Sequence, residues 1–596
     1  MGRISMRPLV LALVLALLVV PAAATAKQTR SPEPVKEPTA VGRGGAAATV
    51  DVLATAAAVD VLKRGGNAVD AAVAAAGVLG VTEPFSAGIG GGGFMVIRTS
   101  RGKVTTIDAR EKAQGAMRPD SFMENGTPLP FNEARYSGLS AGVPGTVLGW
   151  EKALDRYGTK SLRRMLEYGI DVARKGFVVD QTFFDQTAAN VDWFDDVPSS
   201  EAIYLDPDGT PRDVGTIFRN ADLARAYERI AKLGSKGFYR GDIAEAIVDA
   251  VRQPPIAPDA NHVWRPGLMT LDDLRRYTAP ERKPTKVRYR GLDVYGMGPP
   301  SSGGSTVGEA LNILEGYDLE DMSRTQALHL FLEASRYAFA DRNAYLGDPE
   351  YVDVPLRGLL SDGFAAERRA LINPSLASTH PAAPGDPWPY NGGGSGGEAG
   401  VTATQSETTT HLTVSDRKGT VVSYTFTIES TGGNGIVVPG WGFLLNNELT
   451  DFNFDSLTHP NRVEGGKRPR SSMSPTIVLK RDRPYLALGS PGGSTIITTV
   501  LQLLIDRVDL GATLPEAIAA PRATQRNTAT TLAEAAFLAS PEGQELVSTY
   551  KQVLALTGEI GAATGIDFLR DGRVVAAAEP VRRGGGSAMV THPNRD

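Results

Sequence analysis

The 596-residue chain contains no cysteine, which excludes disulfides, thiol catalysis, thiolate metal sites and a lipid-modified cysteine. Histidine is also scarce. There are six, no two of them close enough in sequence to form a local ligand pair, and His592 lies in the C-terminal tail. Positive charge is not in excess: 62 Lys and Arg stand against 67 Asp and Glu, a net charge of −5 that argues against nucleic-acid binding. Long apolar runs are limited to "LVLALVLALLVV" (9–20), which falls short of the roughly 20 residues a membrane span needs. With Arg3 and Arg7 before it and "AAATA" after it, this run reads as an export signal over residues 1–26, cleaved near Ala26. A retained anchor is the alternative. The expected location is outside the cytoplasm, secreted or in the cell envelope, with no other contact with a membrane.

What is present is glycine, proline and ordinary core-forming material: 66 Gly, 39 Pro and 42% hydrophobic residues. "TVDVLATAAAVDVLKRGGNAVDAAVAAAGVLGVTEP" has apolar residues at helical spacing, interrupted by Gly65 and Gly66, and predicts two packed helices. "GGFMVIRTSRGKVTTIDAR" predicts strand, turn and strand, ending at Arg110. Residues 145–280 are mostly helical in pattern, and "LDVYGM" leads through "GPPSSGG" into another helix. Residues 379–408, rich in Gly, Pro and Ser, read as a mobile, exposed linker where the chain could be cut without breaking a core. The stretch 528–565 is helix-like and suggests no chemistry.

Two short motifs fail on context. "GIGGGG" fits G-x-G-x-x-G through Gly88, Gly90 and Gly93, but it follows a helix and enters a strand, the reverse of a dinucleotide site. "GLSAG" places Ser140 in a G-x-S-x-G pattern without the apolar strand before it or the helix after it.

Past the linker, "THLTVSDR" and "TVVSYTFTI" alternate around "DRKG" as a β-hairpin would. Folding about Arg417 and Lys418 puts Thr409 opposite roughly residue 426, with Thr427 a cross-strand neighbour of the triplet Thr408, Thr409 and Thr410. Threonine favours strands, so the triplet needs no chemistry on its own. Further on, "PYLALGSPGGSTIITTVLQLLIDRV" reads as strand, glycine loop and helix.

Taken in order, "GGNAVDAAVAAAGVLGVTEP", "GIGGGGFM", "DAREKA", "AGVPG", "PPSSGG", "ADRNAYLGDP", "TTHLTVSD", "GFLLNNELTDF", "KRPRSSMSPTI" and "GSPGGSTIITTV" make the chain resemble the γ-glutamyltranspeptidase family of N-terminal nucleophile hydrolases from about residue 43 onward. The resemblance implies an α+β, four-layer αββα sandwich made as one precursor. The precursor would cut itself between Thr408 and Thr409 into a large subunit (27–408) and a small one (409–596) that stay together as a heterodimer. The His411 register selects Thr409 as nucleophile. Its freed α-amine, with an ordinary pKa of about 7.7–8.0, would be the general base.

The resemblance further implies that Thr427 hydrogen-bonds the nucleophile and that Gly492 and Gly493 supply the oxyanion donors. Arg110, Ser471 and Ser472 would hold the donor's α-carboxylate, and Glu448 and Asp451 its α-ammonium. The implied activity is cleavage of the γ-glutamyl amide of glutathione and related compounds, with the acyl group passed to water, an amino acid or a dipeptide. Neither metal nor organic cofactor is required. Alternatives are a related acylase, a poly-γ-glutamate hydrolase, or an unprocessed binding protein. Two departures from the family pattern stand out. Glu429 replaces an asparagine, either as a direct ammonium partner or with a raised pKa. The segment "DFNFDSLTHPNRVEGGKRPRSS" is short and lacks a lid tyrosine, which predicts a more open cleft favouring hydrolysis.

Overall fold

The computed structural model describes residues 31–33, 35–393 and 408–594. The export signal and residues 394–407 of the linker lie outside the described residues. Among these, no helix is long and apolar enough to cross a membrane.

The architecture follows from a strand whose two faces differ. In the hairpin Thr410–Ser415 and Val421–Thr427, Leu412, Val414, Val422, Tyr424 and Phe426 enter one large apolar core. His411, Thr413, Ser423 and Thr425 alternate with them and hydrogen-bond among themselves on the opposite face. The apolar face is covered by helices Val52–Lys63, Ala68–Thr82, Thr146–Tyr157 and Leu162–Lys175. Ala68–Thr82 is buried on every side, the condition of a helix that is apolar all round, and Asn67 and Asp70 close its start as a capping box. The expected pair of helices around Gly65 and Gly66 is thus present.

The hairpin sits within a 13-stranded sheet in which Gly92–Arg98 and Val104–Ala109 continue one side. On the other side Thr39–Thr49 links it to Val574–Ala578, Thr564–Phe568, Arg483–Gly489, Thr476–Lys480, Leu292–Gly296 and Thr285–Tyr289. All these neighbours are antiparallel. The sheet doubles back at Thr39–Thr49, so the hairpin stacks on Arg483–Gly489 and Thr564–Phe568. The second half is covered by Gly303–Leu314, Arg324–Tyr345 and Thr495–Val508, giving the layer order helix, sheet, sheet, helix. The four-layer αββα sandwich is the observed fold.

Three expectations need correction. The hairpin pairs Thr410 with Phe426 and His411 with Thr425, so Thr409 comes level with Thr427 itself and not with residue 426. Part of the expected linker packs against the rest of the fold. Trp388–Asn391 forms a helical turn, Trp388 packs with Tyr345 and Phe364, and Gly385 is tied by its N–H to Asp341 (2.6 Å) and by its carbonyl to Tyr345 Oη (2.6 Å). Trp388 docks part of a segment whose Gly and Pro content suggested freedom. The helix-like stretch 528–565 is helical only in part. Ser540 and Pro541 restart the chain between Ala535–Ala539 and Pro541–Ser548, and Thr531–Ala533 pairs in parallel with Leu554–Leu556.

Candidate active site

Strand alternation sorts the three threonines. The Thr410 hydroxyl is buried with no hydrogen-bond partner among the described residues. The Thr408 hydroxyl donates to the carbonyl of Glu429 (2.8 Å). Thr409 Oγ1 contacts the carbonyl oxygen of Thr408 closely and lies 3.2 Å from Thr427 Oγ1. Thr427 Oγ1 in turn accepts the Glu429 N–H (2.8 Å) and stands 3.3 Å from the Thr408 carbonyl oxygen. Of the three, Thr409 is therefore the one placed against the Thr408–Thr409 peptide bond.

The start of this strand pair depends on close backbone approach. A Cβ on Gly91 would lie 1.9 Å from the carbonyl oxygen of Thr427, so the glycine run is needed where it enters the strand Gly92–Arg98. Ser140 is also structural. Its hydroxyl donates to backbone carbonyls of Arg135 (2.6 Å) and Ser137 (3.0 Å), and its own carbonyl accepts the N–H of Leu449. His411 is buried between Thr425 and Thr413, and burial pushes its pKa down to about 3, so it stays neutral.

Around Thr408, Thr409 and Thr427 the structure gathers Arg110, Glu429, Glu448, Asp451, Ser471, Ser472 and Gly493, the walls of a cavity of about 20 Å³. That is room for about one water. The open cleft expected from the missing lid is not present in the uncut chain. The segment 452–470 is tied down beside it, with His459 bonded to the carbonyl of Asn343 (2.8 Å), and Asn461 donating to the carbonyl of Asp451 (2.7 Å) and accepting the Arg470 N–H through its Oδ1 (2.7 Å). Gly492 is one residue behind the cavity wall. Its φ of 129° is a glycine conformation, and a Cβ there would meet Thr495 Oγ1 at 2.6 Å. The loop runs directly into helix Thr495–Val508, whose N-terminal end favours negative charge.

The charged residues of the site form one cluster. Arg110, expected to hold the donor's carboxylate, is ion-paired in the uncut chain with both Glu448 and Asp451 and bonds the carbonyls of Pro469 (3.1 Å) and Arg470 (3.2 Å). Burial alone would lower its pKa, but the charges of Glu448, Asp451 and Glu111 hold it above the ordinary value. Burial raises the Glu448 carboxyl well above its usual range, and the Glu111 carboxyl to about 7. Glu429 is pushed up to about 8, by burial first and then by the charges of Asp451 and Glu448. Its Oε2 accepts from Ser430 Oγ and Asn447 Nδ2, and its backbone has a φ of 76°, unusual for a side chain of this size.

Two neighbours of the site are invisible to local sequence reading. Arg583 donates to the carbonyl of Thr409 (2.7 Å) and to Ser86 Oγ (2.6 Å), from 174 residues along the chain in the first case. Arg342 donates to Ser472 Oγ (2.7 Å). Arg583 has a positive φ of 54°.

A four-layer sandwich with a hydroxyl side chain at the head of a central strand, beside a glycine-rich helix start, defines an N-terminal nucleophile hydrolase. Within that class the chain belongs to the γ-glutamyltranspeptidase family, whose model, Gamma-glutamyltranspeptidase, matches residues 54–589. It is 41% identical over 492 residues to the glutathione hydrolase proenzyme of Bacillus subtilis subsp. natto, covering 81% of each chain. It is 38% identical over 550 residues to that of Escherichia coli (strain K12), covering 90% of each. Among solved structures, cephalosporin acylase from Bacillus halodurans matches with a TM-score of 0.81 at 27% identity, over 94% of this chain and 98% of the other. The protein is therefore an enzyme of this family.

Proposed function

We propose that the protein is a γ-glutamyl hydrolase and transferase that first cuts its own chain before Thr409. The observation carrying this reading is the placement of Thr409 Oγ1 against the Thr408 carbonyl, with the Thr427 hydroxyl 3.3 Å from the same oxygen. Thr427 accepts the Glu429 N–H, so its own proton is directed toward that carbonyl, where negative charge develops as Thr409 attacks. Collapse transfers the acyl group from nitrogen to oxygen, and water releases Thr408 from the ester. The new α-amine then takes the Thr409 hydroxyl proton in each turnover.

In the mature enzyme the γ-carbonyl of the donor takes the place of the Thr408 carbonyl. Its oxyanion is held by the N–H groups of the Gly492–Gly493 loop. The amine leaving group departs, and the γ-glutamyl ester on Thr409 passes to water, an amino acid or a dipeptide. Glutathione fits as donor because the cavity has walls of both signs: Glu429, Glu448 and Asp451 suit the ammonium, and Arg110 with Ser471 and Ser472 the carboxylate. Cleavage frees Thr408 to leave and opens space that the uncut chain lacks. The large and small subunits remain associated because strands of both lie in one sheet. Residues 1–26 would direct export, which N-terminal sequencing of the large subunit tests.

A processed sample should release p-nitroaniline from γ-glutamyl-p-nitroanilide, faster with a dipeptide acceptor. Acid quenching should leave an acyl adduct on the peptide starting at Thr409. Cleavage of neutral acyl amides, with none of the γ-glutamyl donor, would favour an acylase instead.

A further inference from the structure

The motif "ADRNAYLGDP" is not used by the mechanism above. Its Arg342 lies in the last turn of the 22-residue helix Arg324–Tyr345 and is 2% exposed. The guanidinium meets three neutral acceptors: Ser302 Oγ from Nε (2.8 Å), Asn343 Oδ1 from Nη1 (2.9 Å) and Ser472 Oγ from Nη2 (2.7 Å). A second buried arginine is adjacent, since Arg470 Nη1 donates to the carbonyl of Arg342 (3.2 Å), while Arg470 Nε has no partner among the described residues. Among the described residues neither makes an ion pair. The carboxylate whose charge acts on both is Asp451, which is itself held by Arg110. Burial and the neighbouring cation hold the Arg342 pKa well below its ordinary value, and burial pushes Arg470 down to about 10.

Buried cations without a counter-ion are costly, and the negative end of the helix dipole offsets only part of that for Arg342. No guanidinium donor of Arg342 goes to a carbonyl of its own last turn. The fork is aimed at Ser472, a wall of the cavity that also holds Thr409. Because Ser472 Oγ accepts from Arg342, its own proton must point away from the guanidinium.

We propose that Arg342 is a positioning residue for the donor's carboxylate. It orients the Ser472 hydroxyl as a donor to that group and, with Arg470, puts positive charge behind it. The cavity then has an acid side at Glu429, Glu448 and Asp451 and a basic side behind Ser472. This assignment rests on the γ-glutamyl reading and specifies where the donor's two charges lie.

The test uses three p-nitroanilides with the same scissile bond: γ-glutamyl with both charges, glutaryl with the carboxylate only, and 4-aminobutyryl with the ammonium only. In processed Arg342→Lys and Ser472→Ala enzymes, kcat/KM for γ-glutamyl and glutaryl donors should fall about tenfold to hundredfold, mainly through KM, as for loss of a hydrogen bond to a charged group. The 4-aminobutyryl donor should change by less than about twofold, and the double variant should be little worse than either single one. Ser302→Ala, outside the cavity, should give a smaller loss with the same donor pattern even if Arg342→Lys fails to fold. Equal loss for all three donors, or no loss, overturns the role of Arg342. Failure of the wild-type enzyme to cleave the γ-glutamyl donor overturns the donor reading and this assignment with it.

Discussion

Thr427→Val is nearly isosteric and removes one hydroxyl at the centre of three contacts. The Glu429 N–H, now bonded at 2.8 Å, would be left buried without an acceptor, at a cost of about 1–3 kcal/mol. The Thr409 hydroxyl would lose its neighbour at 3.2 Å, and the Thr408 carbonyl its donor at 3.3 Å. Loss of one oxyanion donor typically slows reaction by about 10²–10³-fold. The long 3.3 Å contact in the resting chain favours the lower end, about 10²-fold, for self-cleavage. The assay follows conversion of purified precursor to two fragments by intact mass at fixed temperature, with Thr427→Ser as the control that restores the hydroxyl. Stability is measured separately by urea unfolding in a Thr409→Ala background, where cleavage cannot interfere. Wild-type processing by Thr427→Val would refute the assigned role of the hydroxyl, whatever the change in stability.

Three further outcomes follow from the same geometry. Glu429 has a folded pKa near 8 against an ordinary carboxyl value near 4.5, so between these pH values the native chain binds a proton that the unfolded chain does not. Its contribution is therefore full at low pH and is lost as pH rises toward 8, by up to about 1.4 kcal/mol per pH unit. Glu429→Gln in the uncut Thr409→Ala chain should flatten that slope in urea titrations at pH 5 to 8. An unchanged slope would show that Glu429 titrates normally. Arg583→Met leaves the Thr409 carbonyl and Ser86 Oγ without their donor, so unfolding should show a loss of about 1–3 kcal/mol and processing should slow; unchanged values in both assays would count against it. Gly91→Ala places a methyl 1.9 Å from the Thr427 carbonyl oxygen, so thermal melting should show a loss of about 1–3 kcal/mol with slower processing, and an unaffected melt would mean the strands can shift freely.

The hairpin was legible because both of its strands alternate and the turn lies between them, which brought Thr427 beside Thr409 to within one residue of register. The layers were legible from resemblance more than from periodicity, since a helix such as Ala68–Thr82, apolar on all sides, shows no directional face. Arg583 and Arg342 could not be read from local pattern. One acts through a carbonyl 174 residues away, the other through a serine 130 residues away. Nor does composition reveal docking by a few large side chains, which is why Trp388 escaped a reading that counted glycine and proline. The ion pairing of Arg110 with Glu448 and Asp451 depends on three segments meeting in the folded chain, and no spacing in the sequence encodes which partner a buried arginine will choose.

The account stands on Thr409 becoming a chain terminus. Intact-mass analysis of the purified wild-type protein beside Thr409→Ala tests this most directly. Two fragments in the wild type, the smaller beginning at Thr409, with the variant remaining whole, is the predicted result. A wild-type chain that stays uncut yet cleaves γ-glutamyl donors, or a variant that is cut at the same bond, would contradict it.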